Sequence, residues 1–245
     1  MDIICAWEYG IDAQSRRVRN WRGAVENYGA YLGSLVLALC PIWHPSIMFR
    51  RAAMLSAGGY KGEYSPVEDF ECTIRLALQG HWGGIVPEYL VGQRHHSQRQ
   101  SVTKLGRQIA MKKQAHQEMV NRFFAGPEQE QLGMFLRLDK EFWSQGWSKE
   151  KVCGTSVALK QLLNNMRQEL KLRDEEFDAL RQTVYQRFGL GLRLIEKLQK
   201  LPAPLFPMVF FALSPLLFPR VRALAVLVYE LYQALRYPGR LLRAG

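Results

Sequence analysis

Apolar residues recur with strand-like runs in the first hundred positions and with helical spacing afterwards. Ile3-Ile4-Cys5-Ala6-Trp7 is a short apolar run of the kind that forms a buried strand. Asp12 to Arg22 is polar and predicts a loop or strand edge, whereas Tyr28 to Leu39 is apolar, helix-compatible and closed by Pro41. Ser46-Ile47-Met48-Phe49 predicts a second strand, and Gly58-Gly59 a turn, since glycine takes positive φ at little cost. In Asp69 to Gln79 the apolar positions Phe70, Ile74, Ala77 and Leu78 share one helix face, and Gly80 suits the C-terminus. Ile85 to Val91 is strand-like again. From about Val102 helices follow: Lys104 to Phe124, Glu128 to Trp143, and a long one over Ser156 to Phe188. In the last, Leu159, Leu163, Met166, Leu170, Phe177, Leu180 and Val184 keep near-heptad spacing, with Arg173 in the skipped slot. That spacing suits either a coiled coil or an amphipathic helix packed on its own chain. The expected architecture is an α/β fold with a Rossmann-related mixed sheet over residues 1–104, a helical region over 105–200 and an apolar, basic tail over 201–245.

The tail changes the picture through charge. The chain carries a formal net charge of +11, of which +8 falls after residue 180. Residues 201–219 carry no charge, but five prolines in that stretch disfavour a regular spanning helix and favour an interfacial segment. Further on, Arg222, Tyr229, Glu230, Gln233 and Arg236 share one helical arc opposite Leu224, Leu227, Val228, Leu231 and Leu235. Basic residues beside an apolar face suit an anionic membrane surface, and no nucleic-acid partner is expected. The expected location is the cytoplasmic side of a membrane, held peripherally or monotopically. The alternative is that this helix caps the protein's own core. With 48% hydrophobic residues the chain is not disordered, and four scattered cysteines without a CxxC pair exclude a disulfide framework. No phosphate loop, zinc spacing or nucleophile elbow occurs.

Two ionisable clusters carry the chemistry. Glu68-Asp69 opens a helix, where carboxylates are stabilised by free amides and the dipole, and where one can also project into a cleft as a general base. Arg94-His95-His96 ends a strand, and guanidinium with imidazole can hold a diphosphate; a solvated basic loop is the plainer reading. His44 and His81 are lone histidines of the structural type.

The order of these pieces is specific. His44-Pro45-Ser46-Ile47-Met48-Phe49-Arg50-Arg51, Gly58-Gly59-Tyr60, Val67-Glu68-Asp69-Phe70-Glu71, Arg75-Leu76-Ala77-Leu78-Gln79-Gly80, Pro87-Glu88-Tyr89-Leu90 and Arg94-His95-His96 follow one another. This succession resembles the C-terminal half of a family-2, inverting glycosyltransferase domain of the GT-A fold, over residues 1–104. The resemblance implies a hexosyltransferase-type enzyme of glycan or polysaccharide synthesis. It implies that Asp69 is the general base and Glu68 its helper. It places Arg94 and His96 toward the donor diphosphate, and His44 and Arg50 beside the acceptor. The partners it implies are a nucleotide-sugar and a glycan acceptor, and the cofactor a divalent metal, Mg or Mn, held by an Asp-x-Asp motif. No Asp-x-Asp occurs in this sequence. The donor-binding half would then come from a longer parent chain, which is the favoured reading, or from a partner chain. Otherwise the chain is a non-catalytic, membrane-associated module pairing through its long helix. Without the donor half, the chain alone is expected to be inactive and to leave a sheet edge and an apolar helix face exposed.

Overall fold

A computed structural model describes residues 1–96, 103–137, 139 and 149–187. The chain is a mixed sheet with helices, followed by a helical region. It divides into one compact unit of residues 1–142 with 158–184, and a second of 143–157 with 185–245. The apolar stretch 201–219, the amphipathic helix over 222–236 and the polar run 97–101 lie outside the described residues. No helix among the described residues is long and apolar enough to cross a membrane.

Strand β1 (Ile3–Ile11) is the centre of the sheet. One edge runs parallel to β4 (Gly83–Arg94) along its whole length. The other edge is shared: β3 (Met48–Phe49) pairs antiparallel with Ile3 and Ile4, and β2 (Arg17–Trp21) pairs antiparallel with Glu8 to Ile11. The gap between them is filled by a 3-10 turn, His44–Ser46. There the Ser46 hydroxyl accepts from the Ala6 amide at 3.1 Å and faces the carbonyls of Ala6 and Trp43 at 3.1 and 3.2 Å. A side chain thus supplies the ladder partner that a strand would otherwise give, as buried backbone polar groups require. Among the described residues β4 pairs only with β1, and Met48 and Ile4 are 71% and 37% exposed.

Helix α1 (Tyr28–Val36) starts on Asn27, whose side chain accepts from the Ala30 amide at 3.0 Å, and it buries Tyr31, Leu32, Leu35 and Val36 completely. Each such side chain contributes about 1.5–3 kcal/mol when removed from water. Two short elements follow β3: α2 (Arg51–Ser56) and a 3-10 turn over Gly62–Tyr64. Then comes α3 (Glu68–Leu78), with Glu68, Asp69 and Glu71 in its first turn, where the dipole favours them. Tyr28 donates across the layer to the Ala77 carbonyl at 2.5 Å.

Helices from the region beyond residue 104 pack on this α/β layer. Helix α4 (Leu105–Phe123) buries His116 completely. His116 Nε2 lies 2.8 Å from the Val36 carbonyl at the end of α1, and its Nδ1 lies 3.1 Å from an Arg137 nitrogen on α5 (Gln129–Arg137). The ring therefore carries its proton on Nε2 and accepts from the guanidinium. The predicted single helix over 156–188 is instead two: α6 (Lys149–Glu169) and α7 (Asp174–Arg187). Between them Lys171 has φ 52°, the amides of Leu170 and Leu172 return to the carbonyls of Met166 and Arg167, and Leu172 turns inward at 6% exposure. The helix is interrupted where the heptad spacing skipped, which removes a continuous coiled-coil seam. Helix α7 crosses α1 at two glycines. A Cβ on Gly29 would lie 1.8 Å from the Glu176 carbonyl oxygen, and one on Gly33 2.7 Å from Thr183 Cβ, so only glycine permits this approach.

Burial lowers the His116 pKa to about 3, with the nearby Arg137 and Lys112 charges acting in the same direction. The unfolded chain protonates near 6.5. Below that pH the unfolded state binds the extra proton, so stability is expected to fall between about pH 6.5 and 3 by up to about 1.4 kcal/mol per pH unit. Urea unfolding at several pH values checks this: His116→Gln should flatten the acid limb relative to wild type.

Candidate functional site

Four elements bring ionisable side chains together beside the 3-10 turn. The turn carries His44, the start of α3 carries Glu68 and Asp69, the loop after α2 carries Tyr60, and β1 carries Glu8. The loop is fixed by Arg75. Its Nε and Nη2 grip the two Glu71 carboxylate oxygens at 2.6 and 2.8 Å, Nη2 also donates to the Gly59 carbonyl at 2.6 Å, and Nη1 donates to the Ala57 carbonyl. This bidentate pair holds Gly58-Gly59, both at positive φ, and so sets the position of Tyr60.

Tyr60 reaches the His44 ring, with its hydroxyl 2.9 Å from Nε2 and the two rings edge to face at 5.6 Å. On the other side of that ring, Nδ1 lies 4.0 Å from Asp69 Oδ2. A phenol donating to Nε2 would leave the His44 proton on Nδ1, the nitrogen nearer the carboxylate. Asp69 divides its oxygens: Oδ1 accepts from the Phe70 amide at 2.8 Å, while Oδ2 faces His44. One carboxylate oxygen is thus tied to the first turn of α3 while the other faces the imidazole. The His44 and Asp69 side chains are 43% and 35% exposed, so the pair stands open to solvent. Glu68 Oε2 is buried with no hydrogen-bond partner among the described residues. Burial pushes the Tyr60 phenol up from its ordinary value, and the Cys72, Asp69 and Glu68 charges act the same way.

Glu8 lies behind the turn and was missed by the sequence reading. It is 2% exposed, and its Oε1 has no hydrogen-bond partner among the described residues. Burial raises its pKa, opposed by Ser46 and by the charge of His44. Tyr60 was noted only as the last residue of the Gly58-Gly59-Tyr60 piece. The period-2 burial of β1 was the available clue to Glu8, since Ala6, Glu8 and Gly10 share one buried face.

Arg94 and Arg50 form other contacts. One Arg94 nitrogen donates to the carbonyls of Asp12 and Ala13 and another to the Ser15 hydroxyl, which clamps the β1–β2 turn. Arg50 donates to Asp2 at 2.8 Å, and Asp2 also holds His81 at 2.9 Å. His96 is exposed at the end of β4, and His95 stacks on Trp21 at 5.4 Å. Of the residues singled out by sequence, the structure gathers His44, Glu68 and Asp69, while Arg50 and Arg94 are occupied by these other partners. A divalent metal does not fit here: no three His, Cys, Asp or Glu side chains among the described residues are placed to share an ion.

Comparison with family models, with curated proteins and with solved structures gave no match.

The raised Glu8 pKa means that the folded state holds its proton more tightly than the unfolded one. Stability is then lost as pH rises above the ordinary carboxylate range. Glu8→Gln is expected to stabilise the protein by about 1 kcal/mol at pH 7.5 and to change little at pH 4. Chemical denaturation at the two pH values measures the difference; equal effects at both would remove the titration from the account.

Proposed function

We propose that this chain forms the acceptor side of an inverting glycosyltransferase, with Asp69 as its general base. The reading rests on the motif order, and the observation that carries it is the 4.0 Å gap between His44 Nδ1 and Asp69 Oδ2. That gap is too long for a direct hydrogen bond. A single hydroxyl oxygen fits between them, about 2.8 Å from each, the ordinary heavy-atom distance. His44 N–H would orient the oxygen and Asp69 Oδ2 would take its proton. The oxygen then forms a bond to the anomeric carbon of a nucleotide-sugar as the bond to the diphosphate breaks on the opposite face. Tyr60 holds the imidazole in the required tautomer, and Glu68 adds negative charge beside the base. The donor half, and the positive charge that meets the departing diphosphate, come from sequence outside this site. The tail would hold the assembly at a membrane surface, near lipid-linked or surface glycan acceptors.

The competing reading, a module pairing through one long helix, is disfavoured by the turn at residues 170–173 between α6 and α7.

The test is acceptor-dependent release of nucleoside diphosphate from a panel of nucleotide-sugars. The full chain is assayed together with whatever donor-binding chain co-purifies. Asp69→Asn is expected to lower the rate by about 10²–10⁴-fold, the usual contribution of a positioned base. Tyr60→Phe should cost less and move the pH profile. Unchanged transfer in the Asp69→Asn protein would sink the assignment.

A further inference from the structure

The face of β1 opposite Glu8 carries a different arrangement, independent of the Asp69 reading. Trp7 and Tyr9 project from β1, and Tyr89 joins them from β4, its ring 5.3 Å from Trp7 and 6.5 Å from Tyr9. Two guanidinium groups lie on these rings. Arg17 is 4.6 Å from the Tyr9 ring centre and 4.1 Å from that of Tyr89. Arg22 is 5.3 Å from the Trp7 ring centre and 5.4 Å from that of Tyr89, and its Nε donates to the Tyr89 hydroxyl at 2.5 Å. Trp7 is itself locked by its indole N–H on the Gly23 carbonyl at 2.9 Å. A Cβ on Gly92 would lie 2.9 Å from the Tyr9 ring, so a side chain there would push that ring off the strand.

Neither guanidinium has a carboxylate within ion-pair distance among the described residues. Arg17 meets the Asn20 amide oxygen instead, at 2.6 Å. On the same hairpin Arg16 is neutralised by Asp12 at 2.7 Å, so pairing is available locally and these two arginines forgo it. Two like charges held around one ring, with their planes fixed by stacking, repel one another until an anion joins them. Because the rings are already covered, a neutral sugar would have to displace the arginines before stacking on them. A planar guanidinium presents its N–H edge to oxyanions, and immobilising it beforehand reduces the entropy lost on binding.

We propose that Arg17 and Arg22, clamped about Tyr89, form a binding site for a phosphate or diphosphate group. Both guanidinium carbons lie against the same ring, 4.1 and 5.4 Å from its centre, so the two charges are gathered at one aromatic residue. The group belongs either to a soluble phosphorylated ligand or to a lipid headgroup.

The test uses the full chain in two arms. In calorimetric titration with pyrophosphate, saturable binding is expected, weakened roughly tenfold or more by Arg17→Gln or Arg22→Gln, the scale of one charge-assisted hydrogen-bonded contact. Arg17→Lys should be intermediate, since it keeps the charge and loses the fork. Arg16→Gln, which removes a paired arginine nearby, should leave affinity within about twofold. In the second arm, phosphatidylcholine vesicles with and without phosphatidic acid are sedimented with each protein. Loss of anionic-vesicle binding in the Arg17 and Arg22 variants, with no response to pyrophosphate, assigns the phosphate to a headgroup. The proposal is overturned if neither arm responds to these two substitutions, or if Arg16→Gln weakens binding equally. It is also overturned if a single-stranded RNA oligonucleotide binds more tightly than pyrophosphate and is lost in the same variants. Near-ultraviolet circular dichroism confirms that each variant retains the fold.

Discussion

The arrangement of the candidate site depends on one hydroxyl group. Strand β1 borrows its edge partners from two places, β3 at its beginning and β2 at its end, and the span between them would leave Ala6 with unmet backbone groups. Ser46 meets them with its side chain. The consequence reaches beyond the sheet. A strand in that position would extend past β1 and point its side chains to the two faces. A 3-10 turn curls instead, so His44 is delivered close to Glu8 on one side and to Asp69 and Tyr60 on the other. An alanine at position 46 would remove both the ladder contact and the reason for the curl.

Around that imidazole the electrostatics are lopsided. Glu8, Glu68 and Asp69 are three carboxylates, and among the described residues no lysine or arginine forms an ion pair with any of them. The helix start compensates in part. Free amides and the dipole stabilise the first-turn acids by about 0.3–1 kcal/mol each at exposed positions. One of those amides, Phe70, is spent on Asp69 Oδ1, which fixes the carboxylate and leaves its other oxygen in the open. A group tied on one side and exposed on the other is better placed to accept a proton than one free to rotate.

The secondary structure was largely readable because most elements obey a single period. Helices α1, α3, α4 and α5 follow apolar spacing and stop near glycine, proline or a change of composition. His44 and Asp69 were flagged through the order of short motifs, which assigned both to the acceptor side without a contact between them. The failures share a cause: tertiary partners changed what a local pattern meant. Glu8 sits in an apolar run, where a carboxylate reads as an interruption, and its burial depends on a turn some forty residues away. Arg94 has the composition of an anion site, but the β1–β2 turn offered it carbonyls first. The heptad spacing through Arg173 continued on paper, while Leu172 found the interior and Lys171 took the left-handed conformation that let it do so. The contact between α1 and α7 is invisible to hydrophobic patterning, because the residues that permit it, Gly29 and Gly33, contribute by lacking a side chain.

Strand parity then determines how the two charged regions relate. Residues of even number on β1 face Glu8, and residues of odd number face Trp7 and Tyr9, so a single strand separates a carboxylate-rich side from an arginine-rich one. An anion is repelled from the Asp69 side by the Glu68 and Asp69 carboxylates and drawn to the Tyr89 side by Arg17 and Arg22, which have no carboxylate partner among the described residues. Glycosyl transfer at Asp69 would create a departing diphosphate on the side that repels it. Under the proposed glycosyl transfer, whatever supplies the donor side would therefore have to bring cationic groups, which the carboxylates around Asp69 would attract.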